Sequence, residues 1–286
     1  MKRLGSRLER WASGRFPDAY YRLVQRPRLR LRFAAEKELA NGVRLSHSER
    51  RSILFFTTQK CASRYVSGVI NALAGPAGMM HADYDAYVSM VRVPPGQNPF
   101  GGALHTSFVP RGYYYGPIGT FRSIPGMDEY SVILQLRDPR DMLTSLYFST
   151  AYSHAVISPK MIRRRKESLA MTIDEFVTYE VGEYLPIYEE YCRQLAKNPH
   201  ILFLKYEDMV SDFETWLDRL GRHIGLNDQV SALAGIRKEA SFSVQSEDIY
   251  AQRRQVTPGD HKRKLQPDTI NHLNQAFETV LRQLQY

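Results

Sequence analysis

Short apolar runs alternate with amphipathic segments along most of this chain. The runs that follow Ser52 and Tyr130 predict two buried strands, and Ile201–Leu204 predicts a third. After the first strand, apolar residues recur at helical spacing and predict a helix with one buried face: Val66, Val69, Ile70 and Leu73. Because strands and helices alternate, we expect an α/β fold with a central parallel sheet flanked by helices.

Helix starts further along the chain carry capping signals. Thr172 to Glu175 and Ser211 to Glu214 have the form of capping boxes, so each predicts the first turn of a helix. A last helix is predicted from Pro267, and its apolar stripe is formed by Leu273, Phe277, Val280, Leu281 and Leu284. In contrast, residues 71–121 are rich in Gly, Pro and Tyr and predict a long irregular surface segment.

Charge divides the chain into two parts. Residues 1–51 hold 14 Lys and Arg against 5 Asp and Glu, whereas residues 52–286 hold 25 of each. We therefore expect one α/β domain over residues 51–286, preceded by a basic helical extension over residues 1–50. A solvated or packed extension is the favoured interpretation; peripheral contact with an anionic membrane, or binding to nucleic acid, is the alternative.

Other features of the composition narrow the class of protein. No apolar run approaches 18 residues and charged residues are spread through the first 15 positions, so neither a membrane span nor a secretory signal is predicted. The only two cysteines, Cys61 and Cys192, predict no disulfide framework and favour a cytoplasmic location. The eight histidines lack metal-ligand spacing, so we expect no metal site.

Two strand–turn–helix junctions carry the candidate chemistry. Lys60 follows the first strand and Arg137 follows the second, and a helix is predicted directly after each. At the second junction, Asp138 is a good N-cap and Pro139 a good first helical residue. Unpaired N–H groups at a helix start, together with a fixed cation, form an anion site. Two such sites predict a ligand with two phosphate-like ends.

These junctions resemble the cofactor signatures of the sulfotransferases that use 3′-phosphoadenosine 5′-phosphosulfate (PAPS). The segment from Arg137 to Ser145 is similar to the family's 3′-phosphate motif, and the first loop is similar to its 5′-phosphosulfate loop. That loop comprises Thr57, Thr58, Gln59, Lys60, Cys61, Ala62 and Ser63, followed by Arg64 and Tyr65. Gln59 stands where the family has proline and Ala62 where it commonly has glycine, so a positive φ at position 62 would be strained.

The resemblance also implies roles for residues in the C-terminal third of the chain. Tyr206 lies in a Tyr-Glu-Asp segment like that of the family, and Phe242 and Tyr65 are implied to meet the two faces of adenine. Arg254 is implied to contact the 3′-phosphate, with Arg253 as the alternative. The implied fold is P-loop-like, and the implied activity is in-line transfer of a sulfuryl group from PAPS, without a metal.

Catalysis is expected to depend on Lys60 and a histidine. Lys60 would stabilise the leaving phosphate, and His105 would act as the general base, with His81 as its competitor. The implied acceptor is a small molecule, lipid or glycan, not nucleic acid, and Tyr113–Tyr115 are candidates to line its pocket. Two alternatives remain: a P-loop-like nucleotide kinase or phosphate-binding enzyme, and a non-catalytic membrane-surface or nucleic-acid binding protein. The acceptor and the oligomeric state are not predicted.

Overall fold

The structure is a computed structural model that describes residues 15, 17–91, 93, 98–101, 107–154, 159–244, 246–251 and 253–286. The chain divides into two compact units. One unit comprises Met1–Leu45 with Ala82–Val109, and the other comprises Ser46–His81 with Pro110–Tyr286. The first unit thus includes residues 82–109 as well as most of the basic N-terminal segment. The boundary expected at residue 50 stays a prediction.

A parallel sheet forms the centre of the larger unit. Its strands are β1 (Ile53–Thr57), β2 (Met80–Ala82), β3 (Tyr113–Ile118), β4 (Ser131–Leu136) and β5 (Leu202–Lys205). Within the described residues the strand order is β2-β3-β1-β4-β5. β1 pairs in parallel with β3 and β4, and β4 pairs in parallel with β5. The α/β class and the flanked parallel sheet that the sequence predicted are confirmed.

Helices account for most of the remaining described chain. In chain order they are α1 (Pro17–Tyr20), α2 (Arg26–Arg32), α3 (Ala34–Ala40), α4 (Ser63–Ala74), α5 (Tyr84–Val91), α6 (Pro139–Phe148), α7 (Pro159–Leu169), α8 (Ile173–Lys197), α9 (Tyr206–Ser211), α10 (Phe213–His223), α11 (Val230–Glu239), α12 (Asp260–Lys264), α13 (Pro267–Ala276) and α14 (Glu278–Leu284). Two segments, Tyr21–Gln25 and Ser149–Ser153, are π-helical, and Met127–Glu129 is a 3₁₀ turn. Among the described residues, no helix is long and apolar enough to span a bilayer.

The core of the larger unit explains why its strands are almost wholly apolar. Every residue of β1 and of β4 is buried, because helices cover both faces of the sheet. The apolar face predicted for α4 is buried with them, and it packs in one cluster with Trp216 and Leu217 of α10. This packing fixes the α4 N-terminus at the carboxyl end of β1.

In the smaller unit, helices pack through aromatic and polar contacts. The rings of Phe33 and Tyr87 lie 6.1 Å apart between centroids. The Tyr21 hydroxyl donates a hydrogen bond of 2.8 Å to the Met90 carbonyl. The buried Glu36 accepts the N–H of Asp83 at 3.3 Å. The described part of residues 17–40 is therefore helical and packed within its own unit.

Several boundaries differ from the sequence-based expectations. Residues 71–121, expected to be irregular, contain β2, α5 and β3, and Tyr113, Tyr114 and Tyr115 are buried in β3. The Thr172 capping box is confirmed. The second one is wrong, because Asp212 caps α10 by accepting the Thr215 N–H. The last apolar stripe is buried as predicted, but the helix breaks at Phe277 into α13 and α14.

Candidate active site

The two predicted junctions lie side by side at the carboxyl edge of the sheet. β1 and β4 are neighbouring parallel strands, and Thr57 pairs in register with Gln135. The turn after β1 leads into α4 at Ser63, and Asp138 after β4 leads into α6 at Pro139. Ligands of open parallel sheets bind outside the carboxyl ends of the strands. The topology therefore brings the two candidate anion sites to one edge.

Two non-glycine residues of the first turn adopt left-handed backbone geometry. Lys60 has φ 63° and Ala62 has φ 61°, so the turn after β1 follows a course that glycine adopts more readily. A non-glycine residue in this region costs about 1–2 kcal/mol, which the surrounding structure must offset. Ala62 therefore has the positive φ whose strain a glycine at this position would avoid.

A buried glutamine that the sequence analysis overlooked holds this turn. Gln135 Nε2 donates to the Cys61 carbonyl at 2.9 Å, and Trp216 Nε1 donates to Gln135 Oε1 at 3.0 Å. Thr57 Oγ1 also donates to the Gln135 carbonyl at 2.8 Å. Buried polar groups must be hydrogen-bonded, so one amide in an apolar strand signals such an anchor. That signal was present in the sequence.

Two tyrosines of α8 support the ends of the two strands. The Tyr191 hydroxyl donates to the Thr57 carbonyl at 3.0 Å, and the Tyr188 hydroxyl donates to the Arg137 carbonyl at 2.7 Å. The two tyrosines are three residues apart, so they lie on one face of the helix. One helix thus fixes the last carbonyl of β1 and the carbonyl that follows β4.

Arg137 is almost completely buried at the second junction. Its side chain is 3% exposed, and its guanidinium carbon lies 4.4 Å from the centroid of the Tyr206 ring. Its nearest carboxylate oxygen is Asp141 Oδ2, 3.6 Å from Nη2, and its Nε has no hydrogen-bond partner among the described residues. Asp138 caps α6 by accepting the Arg140 N–H at 2.9 Å, as predicted. Tyr206 therefore supports Arg137 with its ring, and a buried donor remains for an anion.

Arg254 lies near this cluster but is already paired with carboxylates. Its guanidinium bonds Glu247 and Asp260 and lies 4.0 Å from the centroid of the Phe148 ring. Arg253 Nη1 donates to the Ser241 carbonyl at 3.0 Å. An anion that engaged Arg254 would share it with two carboxylates. Ser145 lies two turns along α6 from Arg137, in the spacing that the motif requires.

The electrostatics of the edge are those of an anion site. The pKa of Lys60 is lowered from 10.5 to about 8, first by burial and then by the charges of Arg137, Arg254 and Arg64. Like charges and burial both disfavour the protonated amine. The negative charge of a bound polyanion would offset both effects, so these cations fit a ligand that carries phosphate groups. Among the described residues, no acidic or His/Cys cluster could hold a metal ion.

The aromatic pair implied for adenine is present, but its rings touch each other. The centroids of Tyr65 and Phe242 lie 5.3 Å apart with an interplanar angle of 78°. Phe213 contacts both rings, at 6.1 and 5.1 Å. A base held between two rings needs about 7 Å, two van der Waals contacts, between parallel planes. In this arrangement one ring must move, or adenine stacks on one ring only.

Of the two histidines expected to compete for the base role, His81 is the one that lies within the described residues. His105 lies outside the described residues. His81 has both ring nitrogens engaged: Nε2 donates to the Gly116 carbonyl at 2.6 Å, and Nδ1 accepts from Asn71 at 3.4 Å. Its ring stacks on Tyr114 at 4.7 Å. With both nitrogens engaged, His81 has no free lone pair for proton abstraction in this arrangement.

Two further titratable groups of the site differ from their ordinary behaviour. Burial raises the pKa of the Cys61 thiol to about 11, so this cysteine is not a nucleophile at neutral pH. Burial also raises the pKa of Glu207 to about 7. Glu207 Oε1 accepts the Asp138 N–H at 3.0 Å, and its Oε2 has no hydrogen-bond partner among the described residues. Glu207 was part of the Tyr-Glu-Asp motif, but the sequence assigned it no role.

Comparison with known proteins defines the class. The family model described as "Sulfotransferase domain" matches residues 127–285, which is more than half of the chain. The chain belongs to the sulfotransferase family, and the predicted activity, sulfuryl transfer with PAPS as the donor, is confirmed at the level of the family. None of the curated proteins is significantly similar in sequence.

Solved structures agree on the fold. Mouse sulfotransferase SULT7A1, complexed with PAP, is 15% identical with a TM-score of 0.53, over 88% of this chain and 90% of that chain. Retinol dehydratase in complex with androsterone and the inactive cofactor PAP is 13% identical with a TM-score of 0.54, over 87% of this chain and 84% of that chain. Retinol dehydratase in a complex with retinol and PAP is 13% identical with a TM-score of 0.51, over 87% of this chain and 85% of that chain. At these identities the likeness shows the fold of the protein.

Proposed function

We propose that the two junctions hold the two ends of one PAPS molecule. The first turn and the α4 N-terminus hold the 5′-phosphosulfate, and Arg137 with Ser145 holds the 3′-phosphate. The observation that carries this proposal is Arg137, which is buried at the strand end and whose Nε has no hydrogen-bond partner among the described residues. Its charge contributes to the lowered pKa of Lys60, after burial. When bound, PAPS supplies the sulfuryl group that passes to an acceptor hydroxyl or amine.

Lys60 and the α4 N-terminus supply the charge stabilisation. Negative charge builds on the 5′-phosphate as the sulfuryl group leaves, and a protonated Lys60 with the first N–H groups of α4 stabilises it. The fixed turn, held by Gln135 and Trp216, keeps Lys60 in place without reorganisation. Positioning and electrostatics supply most of the rate in the related phosphoryl transfers.

His105 remains our proposal for the general base. Its support is the resemblance, together with the engagement of both ring nitrogens of His81. Its removal is expected to slow transfer to high-pKa alcohols by about 10²–10⁴-fold and to spare acidic phenols. Rates of His105→Ala with acceptors of rising pKa test this assignment. An equal loss for every acceptor would remove His105 from the role.

The acceptor is proposed to be a small molecule with a hydroxyl group. Support comes from the solved relatives, whose bound molecules are androsterone and retinol. Lipid and glycan acceptors belong to the same proposal as wider classes. We also propose a cytoplasmic location, which the two free buried thiols support. Peripheral membrane contact through the basic N-terminal segment is a further proposal.

Thermal stabilisation by nucleotides tests the donor site. A ligand that binds the native state raises the melting temperature, so PAP should stabilise the protein more than AMP or ATP does. Arg137→Ala should remove most of the preference for PAP, because it deletes a charge-assisted contact. Arg193→Ala, which removes an exposed cation of α8, is the matched control and should keep the preference. Equal shifts from PAP and AMP would refute the 3′-phosphate assignment, and a preference for ATP would favour the kinase alternative.

A further inference from the structure

Asp141 connects α6 to the segment that follows Arg254. The carboxylate is 1% exposed. Its Oδ2 accepts the Gly259 N–H at 2.7 Å and lies 3.6 Å from Arg137 Nη2. Its Oδ1 accepts the His261 N–H at 2.9 Å and the ring Nδ1–H of the same histidine at 2.6 Å. Three hydrogen bonds from two residues therefore fix the position of a buried carboxylate beside Arg137.

His261 is buried as completely as its partner. Its side chain is 2% exposed, and its Nε2 has no hydrogen-bond partner among the described residues. Because the carboxylate can only accept, Nδ1 must carry the hydrogen, and this fixes the tautomer of the ring. Neither His261 nor Asp141 has a role in the proposed mechanism, although Asp141 lies 3.6 Å from Arg137 Nη2 and His261 is hydrogen-bonded to Asp141.

Asp141 lies close enough to Arg137 to interact with its charge but too far away to accept a hydrogen bond from it. At 3.6 Å the carboxylate neutralises the buried guanidinium but falls outside hydrogen-bond range. A carboxylate free to rotate would close on the guanidinium in a two-pronged pair at about 2.8 Å and occupy the donors that an anion needs. The hydrogen bond from His261 restrains Asp141 from that movement.

We propose that His261 is a positioning residue that holds Asp141 back from Arg137 and so keeps the guanidinium open for the 3′-phosphate of the donor. This inference rests on the proposed role of Arg137. It predicts a specific loss: without the His261 ring bond, affinity for PAP falls, whereas affinity for AMP, which lacks the 3′-phosphate, does not.

The two amide substitutions form a matched pair. In His261→Asn the amide Nδ2 takes the place of Nδ1 and can still donate to Asp141. In His261→Gln the amide lies one bond further out, at the place of Nε2. The main-chain N–H of residue 261 donates to Asp141 in both variants, so their contrast isolates the ring bond. His223→Gln is the control, because the His223 ring makes its hydrogen bond in another part of the unit, to the main-chain carbonyl of Val132 at 2.9 Å.

Isothermal titration calorimetry with PAP and AMP on the full chain gives the readout. We expect His261→Gln to weaken PAP binding by about tenfold or more, the range for a charge-assisted hydrogen bond, with AMP binding changed less than about twofold. His261→Asn and His223→Gln should stay within about threefold of the wild type for PAP. Adding Asp141→Asn to His261→Gln should recover part of the lost PAP affinity, because the carboxylate that would close on Arg137 is then absent.

Each other outcome refutes a definite step. Equal losses in the Asn and Gln variants, or equal losses for PAP and AMP, would make His261 a residue of general stability and overturn the inference. Unchanged PAP binding in His261→Gln would overturn it as well. A wild-type protein that binds PAP no better than AMP would refute the phosphate role of Arg137, and the inference would fall with the proposed function.

Discussion

Lys60 is predicted to make cofactor binding depend on pH in the alkaline range. Its pKa is lowered from 10.5 to about 8 by burial and by neighbouring arginine charges. A bound anion supplies the missing counter-charge, so the pKa of Lys60 must rise on binding. Protons are therefore taken up when PAP binds near pH 8, and affinity falls as the pH rises through about 8.

The size of the effect follows from the fraction of Lys60 that is protonated in the free protein. With a pKa of about 8, roughly nine tenths is protonated at pH 7 and roughly one tenth at pH 9. If the pKa in the complex returns to 10.5 or above, affinity falls by about tenfold between pH 7 and pH 9. The phosphates of PAP, with a second pKa of about 6, do not titrate in this range.

Calorimetry in buffers of different ionisation enthalpy measures the proton uptake directly. At pH 8 the wild type should take up about half a proton per PAP bound. Lys60→Arg keeps its charge across the range and should show no such uptake. This variant also separates proton uptake by Lys60 from uptake by Glu207, because the pKa of Glu207 is raised to about 7. Uptake that persists in Lys60→Arg, or constant wild-type affinity from pH 7 to pH 9, would refute this account.

The lowered pKa of Lys60 also makes the stability of the folded protein depend on pH. Lys60 binds fewer protons folded than unfolded between about pH 8 and 10.5, so its contribution to stability should rise with pH across that window and vanish in Lys60→Met. Ala62→Gly should raise the free energy of unfolding by up to about 1 kcal/mol in urea titrations, because φ 61° suits glycine; destabilisation would contradict this. Tyr191→Phe should cost about 0.5–1.5 kcal/mol, since it removes the buried hydrogen bond to the Thr57 carbonyl. Trp216→Phe should weaken PAP binding, because Gln135 loses the donor that fixes its amide against the first turn; unchanged affinity would argue against that support.

Local patterns were sufficient for the elements that carry the two phosphate-binding junctions. The apolar runs and helical spacing predicted β1, β4, β5 and the buried face of α4, because burial on both sides of a sheet demands apolar strands. The cap at Asp138 and the first helical residue Pro139 depend on neighbouring residues only, so they too could be derived. The resemblance to the sulfotransferases depended on the motif from Arg137 to Ser145, which lies within one strand end and one helix.

The sequence alone was less informative where a contact joins distant parts of the chain. Tyr113–Tyr115 lie in a buried strand instead of a pocket loop, because the Gly- and Pro-rich stretch around them pairs with β1. The wrong capping box at Ser211 had the right residue types, but α9 ends at Ser211 and Asp212 takes the cap.

What the sequence determined by itself is therefore the resemblance to a class of protein, the strands and helices of the two junctions, and the cations that these junctions carry. Only the tertiary structure decided how those cations act. It lowered the pKa of Lys60 by burying the amine and by gathering arginines from segments up to 194 residues away, and it paired Arg254 with Glu247 and Asp260. It also joined Asp141 to His261 across 120 residues. Electrostatic energies depend on distance in space and on burial, and neither can be read from a linear pattern.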